Sequence, residues 1–195
     1  MTAPGAASPM PPRRAFVAGA TGYVGRHVVR ELRAHGLEVH AHVRPDSRQL
    51  ADWRARFAGE GAITDDTAWT ADAMLRTMQR LAPQLVFALL GTTRKRVQAS
   101  ASRGVTESYA TVDYGLTHLL LDAVRTLVEP PRVIYLSAVG VRPGVSNPYL
   151  AARARIEAEL AASGVPHLIA QPAYITGDDR EESRPVERTL ARVLD

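Results

Sequence analysis

Cysteine is absent from this 195-residue chain, and lysine nearly so, Lys95 being the single one. The first absence excludes disulfides, thiolate metal ligands and thiol nucleophiles. The six histidines are scattered without metal-ligand spacing, so no metal site is expected. No apolar run approaches the roughly 20 residues of a membrane span. The opening stretch of Ala, Pro, Gly, Ser and Thr lacks the basic cluster before an apolar segment that marks a secretory signal. Residues 1–12 are therefore expected to form a flexible N-terminal tail, and 13–195 one domain, because a chain of this length holds one sizeable core. A chain without cysteine or leader fits the cytoplasm. The basic excess, net charge +4 with pI near 9.8, is spread along the chain without a stripe of interleaved aromatics, so nucleic acid is not an expected partner.

What is present is an ordinary globular balance, 46% apolar and 23% charged, arranged as short apolar runs alternating with longer segments at helical spacing. That alternation predicts an α/β fold, a doubly wound, mostly parallel sheet covered by helices. Strands are expected at 14–18, 37–43, 61–64, 84–90, 132–137 and 166–171. Helices are expected at 23–35, at 107–127 and at 148–162, the last started by Asn147. The stretch 46–82 offers only the short third strand, and a short helix is expected from about 186.

Between the first strand and first helix runs Gly19-Ala20-Thr21-Gly22-Tyr23-Val24-Gly25. Gly19 permits the tight turn, Gly22 lets the backbone approach a pyrophosphate, and Gly25 lets the helix pack closely on the sheet. The free N–H groups and positive dipole end of the helix then face the phosphates. The alternative, glycines that only shape a tight connection, is outweighed by the agreement of strand, motif and helix. The second strand ends His42-Val43-Arg44-Pro45-Asp46-Ser47-Arg48, with Arg44 where a carboxylate would take the ribose 2′-hydroxyl of NAD(H). Arg44, with Ser47 and Arg48 behind it, points to NADP(H) over NAD(H). The competing view makes Arg44 one more surface arginine, with Asp46 left for the ribose.

The glycine motif, Val86-Phe87-Ala88-Leu89-Leu90-Gly91-Thr92-Thr93-Arg94, Tyr135-Leu136-Ser137-Ala138, Tyr149, Gln171-Pro172-Ala173-Tyr174 and Glu182-Ser183-Arg184-Pro185 together resemble the atypical short-chain dehydrogenase/reductases. The resemblance is to their NmrA-like and Tat-interacting-protein-like branch and covers the chain from Arg14 to Pro185. It implies a Rossmann fold in which Leu90, Gly91 and Thr92 line the nicotinamide ribose side, while Pro172, Ala173 and Ile175 pass the nicotinamide. It also implies a homodimer through the helices 107–127 and 149–162. A further strand and helix would be expected after the last strand, where this sequence stops at Asp195.

In enzymes of that family a Tyr handles the substrate proton, a Lys four residues on lowers its pKa and holds the ribose, and a Ser polarises the substrate oxygen. Here the pattern is Tyr149-Leu150-Ala151-Ala152-Arg153, with Ser137 ending the preceding strand. Spacing of i, i+4 puts Tyr149 and Arg153 on one helix face. Arginine departs from the pattern, because a permanently charged guanidinium stabilises a tyrosinate but does not relay a proton. Ser137 as a plain strand-end serine and Tyr149 as a packing aromatic are the structural alternatives. Two functions follow: an NADP(H)-dependent oxidoreductase acting on a small carbonyl or alcohol, or a protein that binds NADP(H) without turnover and regulates or scaffolds a protein partner. The substrate side is expected to be shaped by the loops at 93–106, 141–148 and 177–185.

Overall fold

The computed structural model of the chain describes residues 13–93, 97–98 and 107–175. Its strands are β1 (Arg14–Ala18), β2 (Glu38–His42), β3 (Ile63–Asp65), β4 (Leu85–Ala88), β5 (Arg132–Leu136) and β6 (His167–Ala170). They form one six-stranded sheet in the order β3-β2-β1-β4-β5-β6, and every pairing is parallel. The fold is therefore the doubly wound Rossmann type expected from the alternation of elements. The strand order reverses between β1 and β4, which opens a crevice at their carboxyl ends.

Neighbouring residues of β1 point to opposite faces and anchor two cores. On one face Phe16 packs with Met74, Met78, Leu120, Val124, Ile156 and Leu160. These come from α3 (Ala71–Leu81), α4 (Thr117–Arg125) and α5 (Pro148–Ala162). On the other, Val17 packs with Val29, Val39, Val43 and Phe57, supplied in part by α1 (Tyr23–Ala34) and α2 (Leu50–Gly59). Burial on both sides explains why the central strands are nearly all apolar.

Two expectations are corrected. The stretch 46–82 contains α2 and α3 as well as the third strand, which lies slightly later than expected. Helix α2 buries only Phe57, so its apolar face is too narrow to stand out in the sequence. Helix α3 carries Met74, Met78 and Leu81 inward and is capped by Thr70, whose Oγ1 accepts from Ala73 N at 3.4 Å. The expected helix 107–127 is two pieces, a π-helical stretch Tyr109–Leu116 running into α4. Ser108 and Thr111 open it with a reciprocal capping box, at 3.1 and 2.9 Å. Its wider turns hold Asp113, 1% exposed, inside the protein. Helix α5 matches its expected span, and Asn147 Oδ1 accepts from the N–H groups of Tyr149 and Leu150 at 3.0 and 3.2 Å. The expected N-terminal tail and the helix from 186 lie outside the described residues.

Candidate functional site

The glycine loop is held tight by contacts that tolerate no side chain. Gly19 has φ +84°, and a Cβ there would lie 2.6 Å from the Leu89 carbonyl oxygen; at Gly25 one would lie 2.7 Å from Ala20 Cα. Gly22 is the N-cap of α1, so no side chain caps that helix, and its first turn carries no acidic residue. The N-terminus of α1 thereby presents its backbone donors and positive dipole end to the crevice.

A cleft of about 690 Å³ opens there. It gathers Gly22, Tyr23, Val24 and Gly25 from the loop, Leu90, Gly91 and Thr92 from the end of β4, and Ser137, Tyr149, Arg153 and Ile175 from the far side. A smaller recess of about 140 Å³ beside it is lined by Gly19, Thr21, Arg44, His42, Trp69 and Glu107, among others. Ser47, Pro172 and Ala173 lie outside both linings. Ser47 N–H donates to the Arg44 carbonyl at 3.0 Å in a turn, and the Pro172 carbonyl accepts from Val139 N–H at 3.2 Å.

Tyr149 and Arg153 do share a face of α5, with the guanidinium carbon 4.7 Å from the centre of the Tyr149 ring. Tyr109 packs edge-on against the same ring at 5.5 Å. The sequence did not reveal where the arginine's charge goes. Arg153 is 5% exposed; its Nη2 pairs with Asp113 Oδ1 at 3.1 Å, and its Nη1 donates to the Leu136 carbonyl and reaches the Tyr135 hydroxyl. Asp113 Oδ2 accepts from Thr92 N–H at 2.9 Å, tying the pair to the end of β4. Burial pushes the Asp113 carboxyl up to about 6, against the pull of Arg153, and pushes the Tyr135 phenol up to about 12.

Ser137 lines the cleft, but its hydroxyl donates to Glu157 Oε1, which also accepts from Gln171 Nε2 at 2.8 Å. Glu157 lies eight residues after Tyr149 and four after Arg153, so three chemically distinct groups stand along one stripe of α5. That spacing was the available signal for Glu157. Asp113 had a weaker one, a lone acid within an apolar stretch.

A dinucleotide fits these residues. Thr92 Oγ1, buried at the cleft, has no hydrogen-bond partner among the described residues, and α1 offers an uncapped N-terminus. A ligand bearing hydroxyls and phosphates can satisfy both.

A family model described as NAD(P)H-binding matches residues 19–192. The chain belongs to this NAD(P)H-binding family. Membership makes a nicotinamide dinucleotide its cofactor. Among proteins similar to it is "Protein fmp52-1, mitochondrial" of Aspergillus terreus, 33% identical over 87% of this chain and 69% of that one. The chloroplastic divinyl chlorophyllide a 8-vinyl-reductase of Oryza sativa subsp. indica is 36% identical over 75% of this chain, but only 35% of its own length is covered. A solved candidate epimerase from Burkholderia cenocepacia J2315 superposes with a TM-score of 0.70 at 26% identity, covering 93% of this chain and 61% of that one. The chain thus spans under two thirds of that structure. No helix among the described residues is long and apolar enough to cross a membrane.

Proposed function

We propose that the chain is an NADP(H)-dependent oxidoreductase of the atypical short-chain type, acting on a small carbonyl or alcohol. The observation that carries this reading is Tyr149 under a guanidinium 4.7 Å from its ring, inside the cleft that the glycine loop opens onto. The similarity to a reductase supports it. A bound nicotinamide dinucleotide would supply hydride chemistry. The backbone of Gly22 to Gly25 would hold the pyrophosphate, Arg44 the 2′-phosphate, and Thr92 a ribose hydroxyl. Tyr149 exchanges the substrate proton at its hydroxyl, while Arg153 stabilises negative charge on that oxygen without relaying the proton.

The second reading, binding without turnover by a sensor or scaffold for a protein partner, is favoured by one arrangement. Arg153 is neutralised by Asp113, and the Ser137 hydroxyl donates its hydrogen bond to Glu157 rather than to a substrate. Calorimetric titration with NADPH and NADH, on the parent and on Arg44→Asp, tests the cofactor. NADPH binding that weakens on substitution supports Arg44 as the phosphate ligand; binding of neither nucleotide overturns both readings. NADPH oxidation with a carbonyl panel then separates them. Turnover lost in Tyr149→Phe supports the enzyme, whereas turnover gained only in Arg153→Lys supports the sensor. The proposal includes a cytoplasmic location, on the absence of cysteine, and a homodimer through the α4 and α5 face; sedimentation showing a monomer would overturn the latter.

A further inference from the structure

Arg44 does not meet the recess alone. Its Nη1 lies 3.5 Å from Glu107 Oε1, and its Nε lies 3.8 Å from Asp46 Oδ1. The two carboxylates are not equivalent. The Asp46 side chain is 75% exposed and outside the recess lining, whereas that of Glu107 is 20% exposed and lines the recess together with Arg44. His42, also in the lining, has its Nε2 taken up by the Thr67 carbonyl at 2.8 Å. Burial lowers the His42 pKa, so it stays neutral at physiological pH. Among the described residues, a ribose entering the recess therefore meets a guanidinium and a carboxylate side by side. Glu107 reaches this place from the segment before the π-helical stretch, 63 residues beyond Arg44, so the pattern around β2 holds no sign of it.

We infer that Glu107 is a specificity-determining residue for the dinucleotide, competing with a 2′-phosphate for Arg44 and accepting a hydrogen bond from the 2′-hydroxyl of a ribose without that phosphate. This rests on the proposed binding of NADP(H) in the cleft. A phosphate monoester carries about −1.5 to −2 charge at neutral pH. To reach Arg44 it must displace Glu107 and then settle beside a carboxylate. A 2′-hydroxyl is a donor, so it can satisfy Glu107 while the contact to Arg44 persists. The preference for NADPH over NADH is thus narrower than Arg44 by itself would set.

The test is calorimetry with 2′,5′-ADP and 5′-AMP, a pair of fragments without the nicotinamide half that differ only in the 2′-phosphate, followed by NADPH and NADH, on the parent, Glu107→Gln and Asp46→Asn. Glu107→Gln should tighten 2′,5′-ADP and NADPH by about tenfold, the scale of one charge contact near the surface. It should leave 5′-AMP and NADH unchanged or slightly weaker, and the gain should shrink at high salt. Asp46→Asn should move neither pair by more than about twofold. Parent protein that binds NADPH, with Glu107→Gln equal to it or weaker, overturns the role of Glu107 and leaves the proposed function standing. Parent protein that binds none of the four overturns the proposed function and this inference with it.

Discussion

Replacing Arg153 with methionine strands the buried Asp113 carboxylate, and the cost should depend on pH. Arg153 Nη2 and Asp113 Oδ1 are 3.1 Å apart, with side chains 6% and 0% exposed. Burial outweighs the guanidinium's attraction and raises the Asp113 carboxyl from 3.8 to about 6. A carboxyl whose folded pKa lies above its unfolded one contributes stability that is complete below the unfolded value and lost as pH rises through the folded value. That gap corresponds to roughly 3 kcal/mol between acid and neutral pH. Without Arg153 the carboxyl should titrate higher still. At pH 5 it is then largely protonated in parent and variant alike, and Arg153→Met loses hydrogen bonds to Leu136, Tyr135 and the carbonyl oxygen of the Asp113 carboxyl group, about 1–2 kcal/mol. At pH 8 the carboxylate is buried without its cation and the cost should reach about 3–5 kcal/mol. Urea unfolding of parent and variant at both pH values measures this, because every other titrating group cancels in the difference. Adding Asp113→Asn to the variant should abolish the pH dependence. An equal cost of Arg153→Met at pH 5 and pH 8 would refute the account of the pair.

Further outcomes follow from backbone geometry. In Gly25→Ala the new methyl meets backbone atoms of Gly19 and Ala20, which cannot swing aside, so thermal unfolding should show at least about 2 kcal/mol of destabilisation and NADPH binding should vanish; a melting temperature equal to the parent's would contradict it. Ala82 closes α3 at φ 40°, the one non-glycine residue of positive φ among the described residues, so Ala82→Gly should stabilise by about 0.5–1 kcal/mol in urea. Asn147→Ala should cost about 1 kcal/mol by removing the cap of α5, while Asn147→Asp, which keeps an acceptor, should cost much less. Equal losses in the two Asn147 variants would place its role elsewhere.

Much of this fold was legible because its signals are local. The run into β1, three spaced glycines and the apolar face of α1 sit within a few turns of one another, and Asn147-Pro148 announces α5 at its true first residue. Helix α2 escaped because a single buried residue makes no period. The π-helical stretch escaped because a widened turn leaves apolar spacing close to that of an α-helix and is paid for by contacts from elsewhere, here the burial of Asp113 beside Arg153.

The sequence by itself determined the layered α/β architecture, the tight glycine loop between β1 and α1 and the shared helix face of Tyr149 and Arg153, since period, φ preference and i, i+4 spacing are properties of the chain over a few residues. Only the tertiary structure decided what the polar groups do. Arg153 pairs with Asp113, 40 residues away; Ser137 donates a hydrogen bond to Glu157, 20 residues on; and Arg44 meets Glu107, 63 residues on. Each partner is chosen by how strands and helices pack, and in a low-dielectric interior the nearest opposite charge or acceptor sets a group's chemistry, wherever in the chain it comes from.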